Sequence, residues 1–133
     1  MTLDALIARG EELHQALGRE SYLTGAGLTV GVWDEGRVLT THQEFGGRVT
    51  VKDGASTNSD HSTHVAGTIG AQGVSPNAHG MANGVQIWSY DWNNDLNEMG
   101  NAASSIVASS HSYSWIRGWT YSYEKGPQGW KYY

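Results

Sequence analysis

The stretch LTVGVWDEG at residues 28–36 decides the fold of this 133-residue chain. Its first six residues are nearly all apolar and several are β-branched, which is typical of a short strand buried on both faces. Asp34 follows this run directly, so we expect its carboxylate to be held on a rigid support at the carboxyl end of the strand. The stretch therefore predicts the first strand of a parallel sheet, with an acid at the edge where such sheets collect functional groups.

The rest of the chain alternates strand and helix patterns around this first strand. We interpret residues 48–52, 85–90 and 106–113 as further strands. A helix is predicted from residue 61 to residue 73, and a second one begins at Asp95 with Leu96, Met99, Ala103 and Ile106 on one face. Strands and helices in this order predict an α/β fold, with a parallel sheet flanked by helices.

Residues 1–23 are predicted to form an amphipathic helix and linker that precede the domain of residues 24–133. Leu3, Leu6 and Ile7 alternate with charged residues there, and a basic start followed by an apolar core, as in a signal peptide, is absent. The tail, residues 114–133, holds many Trp and Tyr residues without a clean period. We interpret it as irregular structure or the start of a hairpin.

Composition excludes several classes of function. The formal net charge is −5, and no basic cluster indicates a nucleic-acid partner. No apolar run approaches the ~20 residues that span a bilayer, so no membrane association is expected. The chain has no Cys, which excludes disulfides and thiolate chemistry, while six Trp and seven Tyr supply apolar faces.

A second stretch, HSTHVAGTI at residues 61–69, contains a candidate catalytic base. His61 begins a helix of small residues, and Ala66 and Gly67 allow that helix to approach the sheet closely. This arrangement can place the imidazole beside the Asp34 carboxylate. In such a pair the acid fixes the tautomer of the ring and stabilises the imidazolium, while the other ring nitrogen acts as a base towards a hydroxyl.

In these two stretches the chain resembles the subtilisin-like serine peptidases, the subtilases, over roughly residues 24–119. The first stretch matches the family's strand that ends in Asp, and the second matches its His motif, with Ser62 in place of a Gly. The resemblance implies that Asp34 and His61 are catalytic and that His64 is structural. It also implies a subtilisin-like fold, a peptide or protein substrate, and a secreted or periplasmic location.

Two weaker matches add expectations. The run Ser112, Tyr113, Ser114 resembles the family's Ser-x-Gly substrate-binding strand, although Ser114 stands where Gly is usual. Glu44 aligns with an acid that ligates calcium in many members. The resemblance thus implies that residues 112–114 bind substrate. It leaves two interpretations of Glu44 open: a ligand of structural calcium, which would then be a cofactor, and a solvated loop acid.

One family motif is missing. The nucleophile of subtilases lies in a Gly-Thr-Ser motif downstream of the His, and that tripeptide does not occur in these residues. We therefore expect the chain to hold the amino-terminal half of a catalytic domain, to be inactive alone, and to need the missing carboxyl-terminal half as its partner. The alternative is a non-catalytic, truncated subtilase-like chain that binds peptides or partners.

Other interpretations of these residues also stay open. An Asp after a strand is commonly a turn or cap residue, and a lone His is commonly structural. His61 and His64 have the i, i+3 spacing of a helical zinc pair, although no third ligand has motif spacing. The aromatic tail also suits a carbohydrate-binding module.

Overall fold

The computed structural model describes residues 24–114, 119–122 and 129–132. Six strands and two α-helices lie in these ranges. They are β1 (Thr29–Asp34), β2 (Val49–Val51), α1 (Asp60–Gly70), β3 (Gln86–Asp91), α2 (Asp95–Ala102), β4 (Ala108–His111), β5 (Trp119–Ser122) and β6 (Gly129–Tyr132). A short 3₁₀ helix, Pro76–Ala78, follows α1.

The predicted parallel sheet is confirmed. Its four strands have the order β2-β3-β1-β4, and every neighbouring pair runs parallel. The register places Asp34 opposite Asp91 of β3, and Trp33 opposite His111 of β4. The carboxyl ends of the two central strands therefore meet at one edge, where Asp34 lies.

The alternation of side chains along β1 separates two cores. Val32 packs in one cluster with Ile87 and Ala66, so α1 covers that face of the sheet. Trp33 packs in the other cluster with Tyr90 and Ala102, so α2 covers the opposite face. Because successive strand residues point to opposite faces, Asp34 shares the face of Val32 and is directed towards α1.

Helix α1 begins with a side-chain cap. Ser59 has an extended backbone, and its Oγ accepts a hydrogen bond from the N–H of Ser62 at 3.0 Å. Asp60 adds a negative charge in the first turn, where the helix dipole favours it. This cap fixes where the helix begins, and therefore where His61 projects.

Two of the predicted elements were too long. Helix α1 ends at Gly70 and not at residue 73, because the backbone of Ala71 leaves the helical conformation, with φ −59° and ψ 131°. Strand β4 begins at Ala108 and not at residue 106, because the N–H groups of Ser105 and Ile106 still bond to the carbonyl of Ala102. Ile106 consequently lies beyond α2. Strand β4 ends at His111 and not at residue 113, because the pairing with β1 stops there.

One side chain of α2 also departs from the expected buried face. Leu96 is 77% exposed, while Met99 packs against the core as expected. The buried face of this helix is therefore set by Met99 and Ala102, one turn further along.

The tail contains an antiparallel pair, in which β5 pairs with β6 and Trp119 lies opposite Tyr132. Of the two interpretations of residues 114–133, the hairpin agrees with this pairing. The amphipathic helix predicted for residues 1–23 lies outside the described residues. Within the described part of the chain, no helix has the length and apolar character to cross a membrane.

Candidate active site

Asp34 is a buried carboxylate at the end of the central strand. It is 2% exposed, and it is the last residue of β1, not the residue after it as the sequence suggested. Its Oδ1 accepts two hydrogen bonds, one from the backbone N–H of Glu35 and one from Nδ1 of His61, both at 2.8 Å. Its Oδ2 is buried without a hydrogen-bond partner among the described residues. The sheet thus holds the carboxylate rigidly, with one oxygen committed to the imidazole.

His61 lies in the first turn of α1, which several buried hydrogen bonds fix against the loop that follows Asp34. Ser62 is fully buried and donates its hydroxyl to the carbonyl of Gly36 at 2.7 Å. Ser59 donates its hydroxyl to Oε1 of Glu35 at 2.9 Å. The start of the helix is therefore tied at two points to the residues that directly follow the acid.

The electrostatics of the pair favour a protonated ring. The hydrogen bond that His61 donates to Asp34, assisted by the charge of the carboxylate, raises the pKa of His61 above the ordinary value of 6.5. Because a carboxylate only accepts, Nδ1 of His61 must carry the proton, which leaves Nε2 as the basic nitrogen of the neutral ring. The side chain is 50% exposed, and Nε2 has no partner in the part of the chain that the structure describes. His61 can therefore accept a proton from a group that approaches from solvent.

Trp33 supports the acid from the opposite face of the sheet. Its indole is fully buried and stacks on Tyr90, with ring centroids 4.2 Å apart, and on His111 at 5.2 Å. Its Nε1 donates to Oε2 of Glu98 on α2 at 3.0 Å. The ring occupies the space above Gly31, where any Cβ would collide with it. Sequence reasoning did not identify this support, because Trp33 and Glu98 are 65 residues apart.

Residues 112–114 extend from the end of β4, beyond its last paired residue, His111. Ser112 and Ser114 are exposed, and Tyr113 is half-buried. Strand β4 pairs with β1, so this run lies at the same edge of the sheet as Asp34. Two of the predicted substrate-binding residues are thus exposed at the edge of the sheet where Asp34 lies.

Glu44 is a buried loop anchor, so the interpretation as a solvated acid was wrong. It is 5% exposed, and its carboxylate accepts backbone N–H bonds from Gly73, Val74 and Ser75 at 2.7–2.9 Å. These bonds, with the one from Ser75 the largest cause, lower the pKa of Glu44. Three N–H donors around a carboxylate would repel a cation, so this donor set does not fit calcium.

His64 is exposed one turn along α1, and it lines an open cavity of about 650 Å³ whose lining includes neither Asp34 nor His61. Because Nδ1 of His61 is bonded to Asp34, the two His residues differ in their surroundings. Among the residues that the structure describes, no three His, Cys, Asp or Glu side chains form a group that could hold a metal ion.

The model of the subtilase family matches residues 25–115, which include the buried strand, the Asp34–His61 pair and the 112–114 run. The chain belongs to the subtilase family. An extracellular serine protease of Serratia marcescens is 31% identical to it over a 103-residue alignment that covers 65% of this chain and 10% of that protein. An extracellular serine proteinase of Thermus sp. (strain Rt41A) is 41% identical over a 78-residue alignment that covers 53% of this chain and 18% of that protein.

Both matches cover a small part of the relatives, so the chain corresponds to 10–18% of their length. The two proteins are named as extracellular serine proteases. Membership of the family supports the subtilisin-like fold and a relation to serine peptidases.

Proposed function

We propose that these residues supply the acid–base half of a serine endopeptidase site. His61 Nε2 takes the proton from a serine hydroxyl as that oxygen attacks the carbonyl carbon of a peptide bond. It then gives the proton to the leaving amine, and a water molecule repeats the sequence to release the acyl group. Asp34 orients the ring and stabilises the imidazolium. The observation that carries this proposal is the 2.8 Å contact between His61 Nδ1 and a buried carboxylate.

The nucleophilic serine is proposed to come from outside these 133 residues. No Gly-Thr-Ser sequence occurs among them. The remaining part of the catalytic domain would contribute this serine and a donor to the oxyanion hole. On this proposal the 133-residue polypeptide holds a base and its orienting acid, and it has no turnover when isolated.

The proposed substrate is an extended peptide that pairs with the 112–114 run. This run continues β4 past its pairing with β1, and β4 is one of the two edge strands of the described four-stranded sheet. An edge strand offers free N–H and C=O groups, which an extended peptide can join as a further strand. The names of the relatives support an extracellular location, which we propose for this protein as well.

The test compares two His residues of one helix in the active protein. His61→Ala is expected to lower kcat for a peptide amide by about 10⁶-fold, the scale on which a triad base acts. His64→Ala is the matched control, because His64 lies one turn along, is exposed, and forms no side-chain hydrogen bond with Asp34 or His61 among the described residues. The control should keep kcat within about threefold. Equal losses in the two variants would overturn the proposed role of His61.

A further inference from the structure

The hydroxyl of Tyr113 ties the predicted substrate-binding run to helix α2. It donates to Oδ2 of Asp95 at 2.8 Å, and it lies 3.0 Å from Nδ1 of His111. Since the single phenolic proton is directed at a carboxylate, Nδ1 of His111 must carry a proton and donate to the phenolic oxygen. Among the described residues, this hydroxyl is the one side-chain group of residues 112–114 that forms hydrogen bonds.

Asp95 is well placed to act as an anchor. It is the first residue of α2, and its Oδ1 accepts the N–H of Leu96 at 2.7 Å, while its Oδ2 accepts the hydroxyl of Tyr113. The helix holds Asp95 through its own backbone, and α2 is in turn held to the sheet by the bond between Trp33 and Glu98. The ring of Trp92 meets Tyr113 edge-on, with centroids 5.9 Å apart, and fixes the phenol from another side.

We infer that Asp95 is a positioning residue that sets the place of the 112–114 run through the hydroxyl of Tyr113, and thereby tunes the binding of extended substrates. The inference rests on the proposed function, because it assumes that this run pairs with a peptide. The need for such an anchor is physical. Residues 112–114 lie past the last paired residue of β4, so the sheet alone does not fix their backbone there.

The surroundings of Tyr113 also keep its hydroxyl protonated. Burial and the hydrogen bond to Asp95 raise the pKa of Tyr113, and the charges of Asp95 and Asp34 contribute. The phenol therefore keeps its donor proton at neutral pH. This anchor differs from Asp34 in that it touches no reacting atom.

The test compares long and short substrates of the active protein. Tyr113→Phe removes the hydroxyl but keeps the ring against Trp92. We expect it to raise KM for a tetrapeptide nitroanilide by about tenfold, roughly the effect of one hydrogen bond to a charged group. kcat should stay within about twofold. Hydrolysis of a single-residue N-acetyl nitrophenyl ester, which is too short to pair with residues 112–114, should be unchanged.

Further variants separate positioning from general damage. Asp95→Ala should reproduce the effect of Tyr113→Phe, the double variant should be no worse than either alone, and Asp95→Asn, which keeps an oxygen acceptor, should recover most of the affinity. Tyr90→Phe is the matched control, because its hydroxyl makes no hydrogen bond within the described residues and its loss should change neither substrate.

The outcomes are distinct. Additive losses, equal losses on both substrates, or no change in KM would overturn the role of Asp95 while the peptidase proposal stands. A wild-type protein inert towards both substrates would overturn the proposed function, and this inference with it.

Discussion

Asp34 accepts two hydrogen bonds with one oxygen, and both help to fix the position of the His61 ring. The backbone bond from Glu35 and the imidazole bond meet at Oδ1, so the position of the ring follows from the end of β1. The identity of this pair could be predicted from sequence, because a buried strand ending in acid and a helix of small residues beginning with His are local patterns. Glu44 and Glu98 could not be assigned in this way. Their partners lie about 30 and 65 residues away, and no local pattern encodes such contacts.

Replacement of Asp34 by Asn tests the electrostatic role of this carboxylate. The amide keeps the shape of the carboxylate but removes its charge, and it favours the wrong tautomer of the His61 ring. We therefore expect kcat to fall about 10⁴-fold. Asp34 raises the pKa of His61 in the wild type, and the base must be neutral to act. The acid limb of the pH profile of kcat/KM should therefore lie above pH 6.5 in the wild type and move to lower pH in Asp34→Asn.

The control is Asp60→Asn, which removes an exposed acid adjacent to His61 in sequence. It should leave kcat nearly unchanged and should barely move the limb. A limb that stays in place in Asp34→Asn, or that moves equally in the two variants, would contradict the assignment.

At the scale of elements, the start of α1 and the packing of β1 determine the site. The boundaries of β1, β2 and β3 were predicted to within about a residue, because apolar runs between polar loops mark them. The strand order β2-β3-β1-β4 was not predicted, since it depends on which faces the helices cover and not on any one segment. The end of α1 and the start of β4 were missed because the extended backbone of Ala71 and the turn after Ala102 decide them.

Ser59→Ala tests the cap of α1. The variant loses the bond to the N–H of Ser62 and the bond to Glu35, so the free energy of unfolding should fall by about 1 kcal/mol. Ser75→Ala is the matched control, since Ser75 precedes a 3₁₀ helix without a side-chain cap and keeps its backbone bond to Glu44. Urea unfolding of both variants measures the difference. Similar losses in both would show that Ser59 does not cap the helix.

Gly31→Ala tests the close packing within β1. The added Cβ would collide with the buried ring of Trp33, which also packs on Tyr90 and cannot simply rotate away. We expect a loss of about 1–3 kcal/mol, the usual cost of overpacking a core. Gly54→Ala, where a Cβ meets no atom within 4 Å, should be nearly neutral. Thermal unfolding compares them, and a stable Gly31→Ala protein would argue against the observed position of Trp33.

At the scale of the whole molecule, apolar side chains remain on the surface around the edge strand β4. Val107 is 62% exposed just before β4, and Trp92 and Leu96 are 46% and 77% exposed near the start of α2. Within the described part of the chain, β4 has a neighbour on one side only. Such an edge, bordered by apolar groups, is a template for association.

The isolated 133-residue polypeptide is therefore expected to self-associate or to unfold without a sharp transition. Sedimentation velocity and near-ultraviolet circular dichroism measure both properties. The proposed remainder of the catalytic domain, added as a separate polypeptide, should reduce the association. A monodisperse monomer with a cooperative thermal transition would contradict this expectation and would favour the non-catalytic alternative.

The central claim is that Asp34 and His61 activate a serine that lies outside these residues. Labelling of the active protein with a fluorophosphonate, followed by peptide mapping, tests it most directly. We expect one labelled serine, outside the 133 residues, and labelling that falls by several orders of magnitude in rate in His61→Ala but not in His64→Ala. A label on any serine within these residues, or a labelling rate that does not depend on His61, would contradict the account.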